Sequence, residues 1–218
     1  MTSHPIIMQA ESVRAILDGR KTMTRRIVQS RHTAYIQDRD EDGWYFEDEH
    51  GHFYKTVEVC PYGKSGDLLW VREAFQYVDT YPEPDVFGPY LYKANGDRGK
   101  FRSPIHMPKS ASRLTLEITD IRVERLQDIT DEDAVAEGVE MLSREGQPNY
   151  AWRDYFPRQI TMNLAEIGVK IRTFENTYGC YGPKQSYRSM WDSINFKRAP
   201  WESNPWVWKI QFTRKDAQ

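Results

Sequence analysis

The chain has 218 residues and a formal net charge of −2, with 28% charged and 39% hydrophobic residues. This length supports one packed core with additions, or two small domains. No apolar run approaches the ~18 residues of a membrane span, the N-terminus lacks a secretory pattern, and the two cysteines, Cys60 and Cys180, support neither a disulfide nor a zinc site. We expect a cytoplasmic protein with no membrane partner, no cofactor and no metal.

The first predicted element is a helix over residues 10–19, where apolar residues recur at helical spacing before a stop at Asp18-Gly19. The octapeptide from Gly19 to Arg26, GRKTMTRR, places four cations and two hydroxyls at the start of an extended segment, 22–28. Because strand side chains alternate, Thr24 and Arg26 share a face there. This corner favours a catalytic or nucleotide-binding role, and a helix end decorated with solvated cations is the alternative.

Further along the chain the pattern is mostly that of strands. Alternating or β-rich runs predict a hairpin formed by 44–46 and 53–57. They also predict four further strands, at 68–78, 90–93, 112–126 and 206–213. Thr130 with Asp133 at the capping-box position predicts a helix that ends at Gly138. Residues 139–184 are expected to form an insertion with partial helix around 152–167, and a last helix is predicted over 186–194. Short strands, two or three helices and no βαβ rhythm predict an α+β, barrel-like fold.

Charge is distributed unevenly along the chain. Residues 14–31 hold six basic residues against one acid, and 98–113 hold five basic residues plus His106 with no acid, whereas 38–49 hold seven acids. Two basic segments in an acidic molecule favour a local anion site over general coating of nucleic acid.

Several motifs together resemble the ASCH domain, a branch of the PUA-like β-barrels associated with RNA and modified nucleobases. They are GRKTMTRR at 19–26, GDLLWVRE at 66–73, ERLQDI at 124–129, AEG at 136–138, IHMP at 105–108, WDSIN at 191–195 and NPWVW at 204–208. The longer pattern resembles extended ASCH proteins of phages and prophages. The resemblance implies one PUA-like domain over residues 1–218, with insertions at about 29–60 and 139–184.

Around its first motif the chain is similar to the bacterial acetylcytidine amidohydrolases of this family. That similarity implies a catalytic set of Lys21, Thr24 and Glu137, with Arg26 beside them. In such chemistry Thr24 would attack the amide carbonyl, Lys21 would take its proton, Glu137 would shuttle the proton and Arg26 would hold the oxyanion. Phosphate binding by Lys21 and Arg26, an ordinary strand hydroxyl at Thr24 and a solvated helix residue at Glu137 stay open as alternatives.

A second group of residues is predicted to bind substrate or nucleic acid. Trp70 and Arg72 share a strand face, so that a base could stack on Trp70 with Arg72 on phosphate, unless Trp70 belongs to the barrel core. The basic loop with His106 and Lys109 suits a phosphate, or is solvated. The full set of predicted binding residues is Arg25, Arg26, Trp70, Arg72, Glu73, Arg102, His106 and Lys109.

Three functions follow from these residues and the resemblance. The first is hydrolysis of an N-acylated cytidine, the second is a ribonuclease-like activity, and the third is non-catalytic reading of RNA or of a modified base. The partner is a nucleoside or RNA in each case. The sequence predicts no oligomeric state.

Overall fold

A computed structural model of the chain describes residues 1–29, 36–40, 43–47, 52–55, 59–78, 89–144, 147–155, 159–161, 173–175 and 180–215. The described strands and helices, in chain order, are β1 Ser3–Ile7, α1 Ala10–Leu17, β2 Met23–Ile27, β3 Ile36–Asp40, β4 Gly43–Glu47, β5 Phe53–Lys55, β6 Leu68–Arg72, β7 Phe75–Tyr77, β8 Tyr90–Tyr92, β9 Thr115–Arg125, α2 Asp131–Ala136, β10 Met141–Arg144, β11 Gln147–Trp152, β12 Gln159–Thr161, β13 Thr173–Glu175, α3 Pro183–Asn195 and β14 Trp206–Lys215. The predicted α+β class is confirmed.

Contacts divide the chain into two compact units. The first consists of Met1–Glu124 with Trp206–Gln218, and the second of Arg125–Pro205. The prediction of one domain with two insertions stays a prediction. None of the described helices has the length and apolar character needed to cross a membrane.

A five-stranded mixed sheet in the order β1-β6-β9-β14-β2 organises the first unit. β1 runs parallel to β6, whereas β6 with β9 and β14 with β2 are antiparallel. Leu69 of β6 and Leu116 of β9 face each other and are fully buried. With Ile118, Trp208 and Ile210 they belong to one apolar cluster against which α1 packs through Val13 and Ile16. We call this side of the sheet the core face and the opposite side the outer face. The described strands form no closed barrel.

Two predictions about strands are corrected or extended in this unit. The run 68–78 is two strands, because the chain leaves β6 at Glu73 and Ala74 and β7 then pairs with β8. β1 was not predicted, since Pro5 interrupts its short apolar run; an edge strand tolerates proline there because it needs no ladder donor on its free side. The predicted hairpin is confirmed where it is described, β4 with β5, and residues 48–51 and 56–57 lie outside the described residues.

The second unit holds α2, α3 and two small antiparallel ribbons, β10-β11 and β12-β13. The hydroxyl of Thr130 accepts a hydrogen bond from the amide of Asp133 at 3.1 Å, which confirms the predicted cap of α2. In α3 the indole of Trp191 donates to the carbonyl of Ala199 at 2.8 Å. The helix expected around 152–167 is wrong where it can be compared. Residues 152 and 159–161 lie in strands, and 156–158 and 162–167 lie outside the described residues.

Candidate functional site

Backbone hydrogen bonds at the end of α1 fix the position of the Lys21 backbone in the first unit. Gly19 has a left-handed φ of 73°. Its amide donates to the carbonyl of Ile16 at 3.0 Å, and the amide of Arg20 donates to that of Ala15 at 2.8 Å, the two bonds of a Schellman motif. The amide of Lys21 also donates to Ala15, at 2.9 Å. The backbone of this lysine is therefore held by the helix end, and its side chain is buried.

The pairing of β2 with β14 shows that the side chains of the basic motif lie on two different faces of the sheet. Thr24 is opposite Ile210 and Arg26 is opposite Trp208, both residues of the apolar cluster. Arg25 is instead opposite Lys209. Because paired residues point to the same side, Thr24 and Arg26 lie on the core face and Arg25 lies on the outer face.

Thr24 is a buried hydroxyl in mostly apolar surroundings. It is 3% exposed, and its side chain makes no hydrogen bond to any other residue that the structure describes. Ser186, also buried, shows the usual arrangement, since its hydroxyl donates to the carbonyl of Arg153 at 2.6 Å. Among the described residues, the fully buried side-chain atoms without a hydrogen-bond partner are Nε of Arg72 and Oε1 of Gln76, so the Thr24 hydroxyl carries no penalty of that kind.

Arg26 approaches the opposite edge of the same sheet. Its Nη2 donates to the carbonyl of Ile7 at 2.6 Å and lies 3.1 Å from Sδ of Met8. Within the described part of the chain, Nε and Nη1 of Arg26 make no hydrogen bond, which leaves two charged donors for a carbonyl or phosphate oxygen.

Arg25 belongs to an ion cluster on the outer face. Its Nε and Nη2 lie 2.7 and 2.6 Å from Oε1 of Glu124. Lys209 lies 3.8 Å from the other oxygen of Glu124, and the side chain of Arg25 is fully buried. Arg25, predicted to bind nucleic acid, therefore faces a carboxylate on β9 instead of solvent.

Glu137 lies in the second unit, as the C-cap of α2 directly before Gly138, whose φ is 88°. Its amide donates to the carbonyl of Asp133 at 2.9 Å. The side chain is only 3% exposed, which rules out the alternative of a solvated helix residue.

Trp70 and Arg72 lie on the outer face of β6, because Leu69 and Val71 between and beside them are in the apolar cluster. The guanidinium of Arg72 is 5.3 Å from the centre of the Trp70 ring, so the expected shared face is confirmed. Both side chains are partly exposed, and Trp70 is not part of the core cluster.

Glu73 forms a two-pronged ion pair with Arg113, 40 residues further along the chain. Nε and Nη2 of Arg113 donate to its two oxygens at 2.8 and 3.0 Å, and the carboxylate is almost fully buried. Arg113 also stacks on Tyr92, 4.1 Å from the ring centre. Burial raises the pKa of Tyr92, and the charge of Arg113 opposes that shift. Both oxygens of Glu73 are thus already used within the first unit.

The remaining predicted binding residues, Arg102, His106 and Lys109, are exposed on one loop. The predicted residues therefore separate into Thr24 and Arg26 on the core face, the buried Lys21 at the end of α1, outer-face residues and Glu137 in the second unit. The partners Glu124, Lys209 and Arg113 were missed because only the sheet register and the loop path bring them close. Among the described residues no group of His, Cys, Asp or Glu could hold a metal.

Comparison with protein-family models, with curated proteins and with solved structures finds no match to this chain.

Proposed function

We propose that Lys21, Thr24 and Arg26 form one site, called the core-face corner, that this site binds a modified nucleobase, and that the protein hydrolyses the amide of an N-acylated cytidine. The observation that carries the proposal is the position of Thr24, a buried residue whose side chain makes no hydrogen bond to another described residue, three positions after the buried Lys21 and on the same face as Arg26. A threonine hydroxyl becomes an effective nucleophile when an amine base takes its proton.

In this proposal Oγ of Thr24 attacks the acyl carbon while its proton passes to a neutral Lys21 amine. The donors on Nε and Nη1 of Arg26 stabilise the oxyanion that forms. The amide C–N bond then breaks, the cytidine amine leaves with a proton, and water hydrolyses the acyl-threonine. The resemblance also assigns proton transfer to Glu137, a buried residue of the second unit, and that assignment stays a prediction.

We also propose that the five-stranded sheet is a PUA-like barrel. The hydrogen bond from Arg26 on β2 to Ile7 on β1 supports this proposal, since β2 and β1 are the two edges of the sheet. The helix α1 joins the same two edges. A sheet whose edges approach each other is strongly curled, as a small barrel requires.

The test is turnover of acylated nucleosides. The purified protein is incubated with N4-acetylcytidine and with propionyl and benzoyl analogues, and release of cytidine is followed by chromatography. We expect Thr24→Val to abolish turnover and Lys21→Ala to lower it at least about 100-fold, the usual range for a general base. Thr22→Val is the matched control, because Thr22 is an exposed threonine of the same segment.

Thermal unfolding of each variant separates loss of chemistry from loss of fold. Wild-type protein that is folded and converts no member of the panel refutes the proposal, as does a fully active Thr24→Val. Labelled RNA is included in the same assay. If wild type cleaves the RNA and Lys21→Ala does not, the result supports the alternative of a ribonuclease-like activity.

A further inference from the structure

The outer face of β6 carries an aromatic–cation pair beside a basic loop. Nη2 of Arg72 donates to the carbonyl of Ile105, which joins the Trp70–Arg72 pair to that loop. Nε of Arg72 is buried without a hydrogen-bond partner. Ile105 itself is 57% exposed and Ile7, opposite Arg72 on β1, is 43% exposed. The Trp70–Arg72 pair is thus partly exposed and is bordered by two exposed isoleucines, while the unpartnered Nε itself is buried.

The loop beside this pair, residues 98–109, is positively charged over its whole length. It contains four cationic side chains, Arg98, Lys100, Arg102 and Lys109, together with the neutral His106, and no acid. All five are exposed, and none makes a side-chain hydrogen bond or ion pair with another described residue. Their charge is therefore not neutralised within the described part of the chain, unlike that of Arg25 or Arg113.

The loop is nevertheless anchored to the sheet. The backbones of Phe75 and Arg102 exchange two hydrogen bonds, of 3.4 and 2.7 Å. The amide of Glu73 lies 3.2 Å from Sδ of the buried Met107. The cations of the loop are consequently held at the border of the Trp70–Arg72 pair, and a ligand would not have to order a free segment first.

We propose that this surface, the β6 patch formed by Trp70, Arg72 and the loop 98–109, binds single-stranded nucleic acid. A base stacks on Trp70 and the phosphates follow the cations of the loop. The partly exposed indole selects an unstacked base, because bases within a duplex offer no free face. An acidic peptide would use the cations but not the ring. The β6 patch lies on the outer face, opposite Thr24, and its binding does not require the proposed hydrolysis.

The test measures binding of a fluorescent 12-nucleotide single strand, as RNA and as DNA, from 50 to 200 mM salt. We expect Arg102→Gln/Lys109→Gln to lower the slope of log K against log salt by about 1.4, since each lost contact with a single strand removes about 0.7. Trp70→Ala should weaken binding about 5- to 100-fold with an unchanged slope. Trp70→Phe, which keeps a ring, should recover most of that loss.

The control is Lys197→Gln/Arg198→Gln, which removes one exposed lysine and one exposed arginine outside the loop. An equal fall in slope for both double variants overturns the proposal, because general charge would then explain the binding. Equally tight binding of a duplex or of heparin, or no effect of Trp70→Ala, overturns it as well. Thermal unfolding verifies the fold of each variant.

Lys21→Ala distinguishes this surface from the core-face corner. It should bind the single strand as wild type does, even where turnover is lost. A wild-type protein that hydrolyses acylated cytidine but binds no single strand refutes the β6 patch alone. The opposite result refutes the proposed hydrolysis alone.

Discussion

On the core face of the five-stranded sheet, Thr24 lies beside apolar residues and its hydroxyl has no partner among the described residues. On the outer face of the same strand, the very next side chain, Arg25, is held by Glu124 at 2.6 Å. Two adjacent residues of one basic motif thus have opposite surroundings. The difference shows that neighbouring side chains of one motif can have separate roles: the Arg25–Glu124 pair is an internal contact of the fold, whereas Thr24 belongs to the site that we propose for a ligand.

The largest expected loss of stability follows from disrupting the outer-face ion cluster of Arg25, Glu124 and Lys209. We expect Glu124→Ala to lower the free energy of unfolding by about 3 to 5 kcal/mol, because it deprives the fully buried Arg25 of a close carboxylate. Urea denaturation measures the change. Glu117→Ala on the same strand is the control, since Glu117 pairs with Lys215 near the surface and should cost at most about 1 kcal/mol. Equal losses in the two variants would contradict the structural role of the cluster.

A somewhat smaller loss of stability is expected when an apolar side chain of the core face is truncated. Leu116 is fully buried opposite Leu69, and Leu116→Ala should cost about 3 kcal/mol of unfolding free energy. Leu116→Met nearly conserves volume and should cost less than about 1.5 kcal/mol. Urea denaturation again gives both values. An alanine variant as stable as the methionine variant would mean that this face is less well packed than the structure indicates.

Acid should lower the stability of the fold by protonating Asp67, the residue directly before β6. Asp67 accepts the amide of Thr2 at 2.7 Å and that of Lys64 at 3.2 Å. The hydrogen bonds from Thr2, above all its amide, lower the pKa of Asp67 from 3.8 to about 2. The folded state therefore favours the carboxylate, and this stabilisation is complete above pH 3.8 and is lost as the pH falls to about 2.

Urea midpoints of wild type and Asp67→Asn between pH 5 and pH 2 measure this contribution. The stability advantage of wild type should shrink across the lower part of that range. A constant difference between the two proteins would show that the charge of Asp67 contributes nothing to the fold.

The smallest effect is expected for the thiol of Cys60 in the core-face cluster. Burial raises its pKa from 9.0 to about 12. The contribution of the thiol to stability is therefore complete below pH 9.0 and declines only as the pH rises towards 12. In Cys180→Ser, the Cys60 thiol should react with a disulfide reagent far more slowly at pH 8 than after unfolding in urea. Equal rates would mean that the core face opens readily.

Much of the local structure could be predicted from the sequence. The end of α1 at Gly19, the cap of α2 at Thr130 and the alternation of Leu114, Leu116 and Ile118 all depend on residues close together in the chain. The shared face of Trp70 and Arg72 follows from the same two-residue period. Weak periodicity explains the error at 152–167, since the end of β11 and β12 lie where partial helix was expected, in a stretch where neither pattern dominates.

The sequence by itself thus determined the helices, most strands and the composition of the basic motif, because backbone periodicity and capping act within a few residues. Only the tertiary structure decided that Arg25 pairs with Glu124, 99 residues further along the chain, and that Arg113 pairs with Glu73, 40 residues before it. It also decided that Thr24 and Trp70 lie on opposite faces of one sheet. These outcomes depend on strand order and register, which arise when distant segments bury their apolar faces together and which no local pattern encodes.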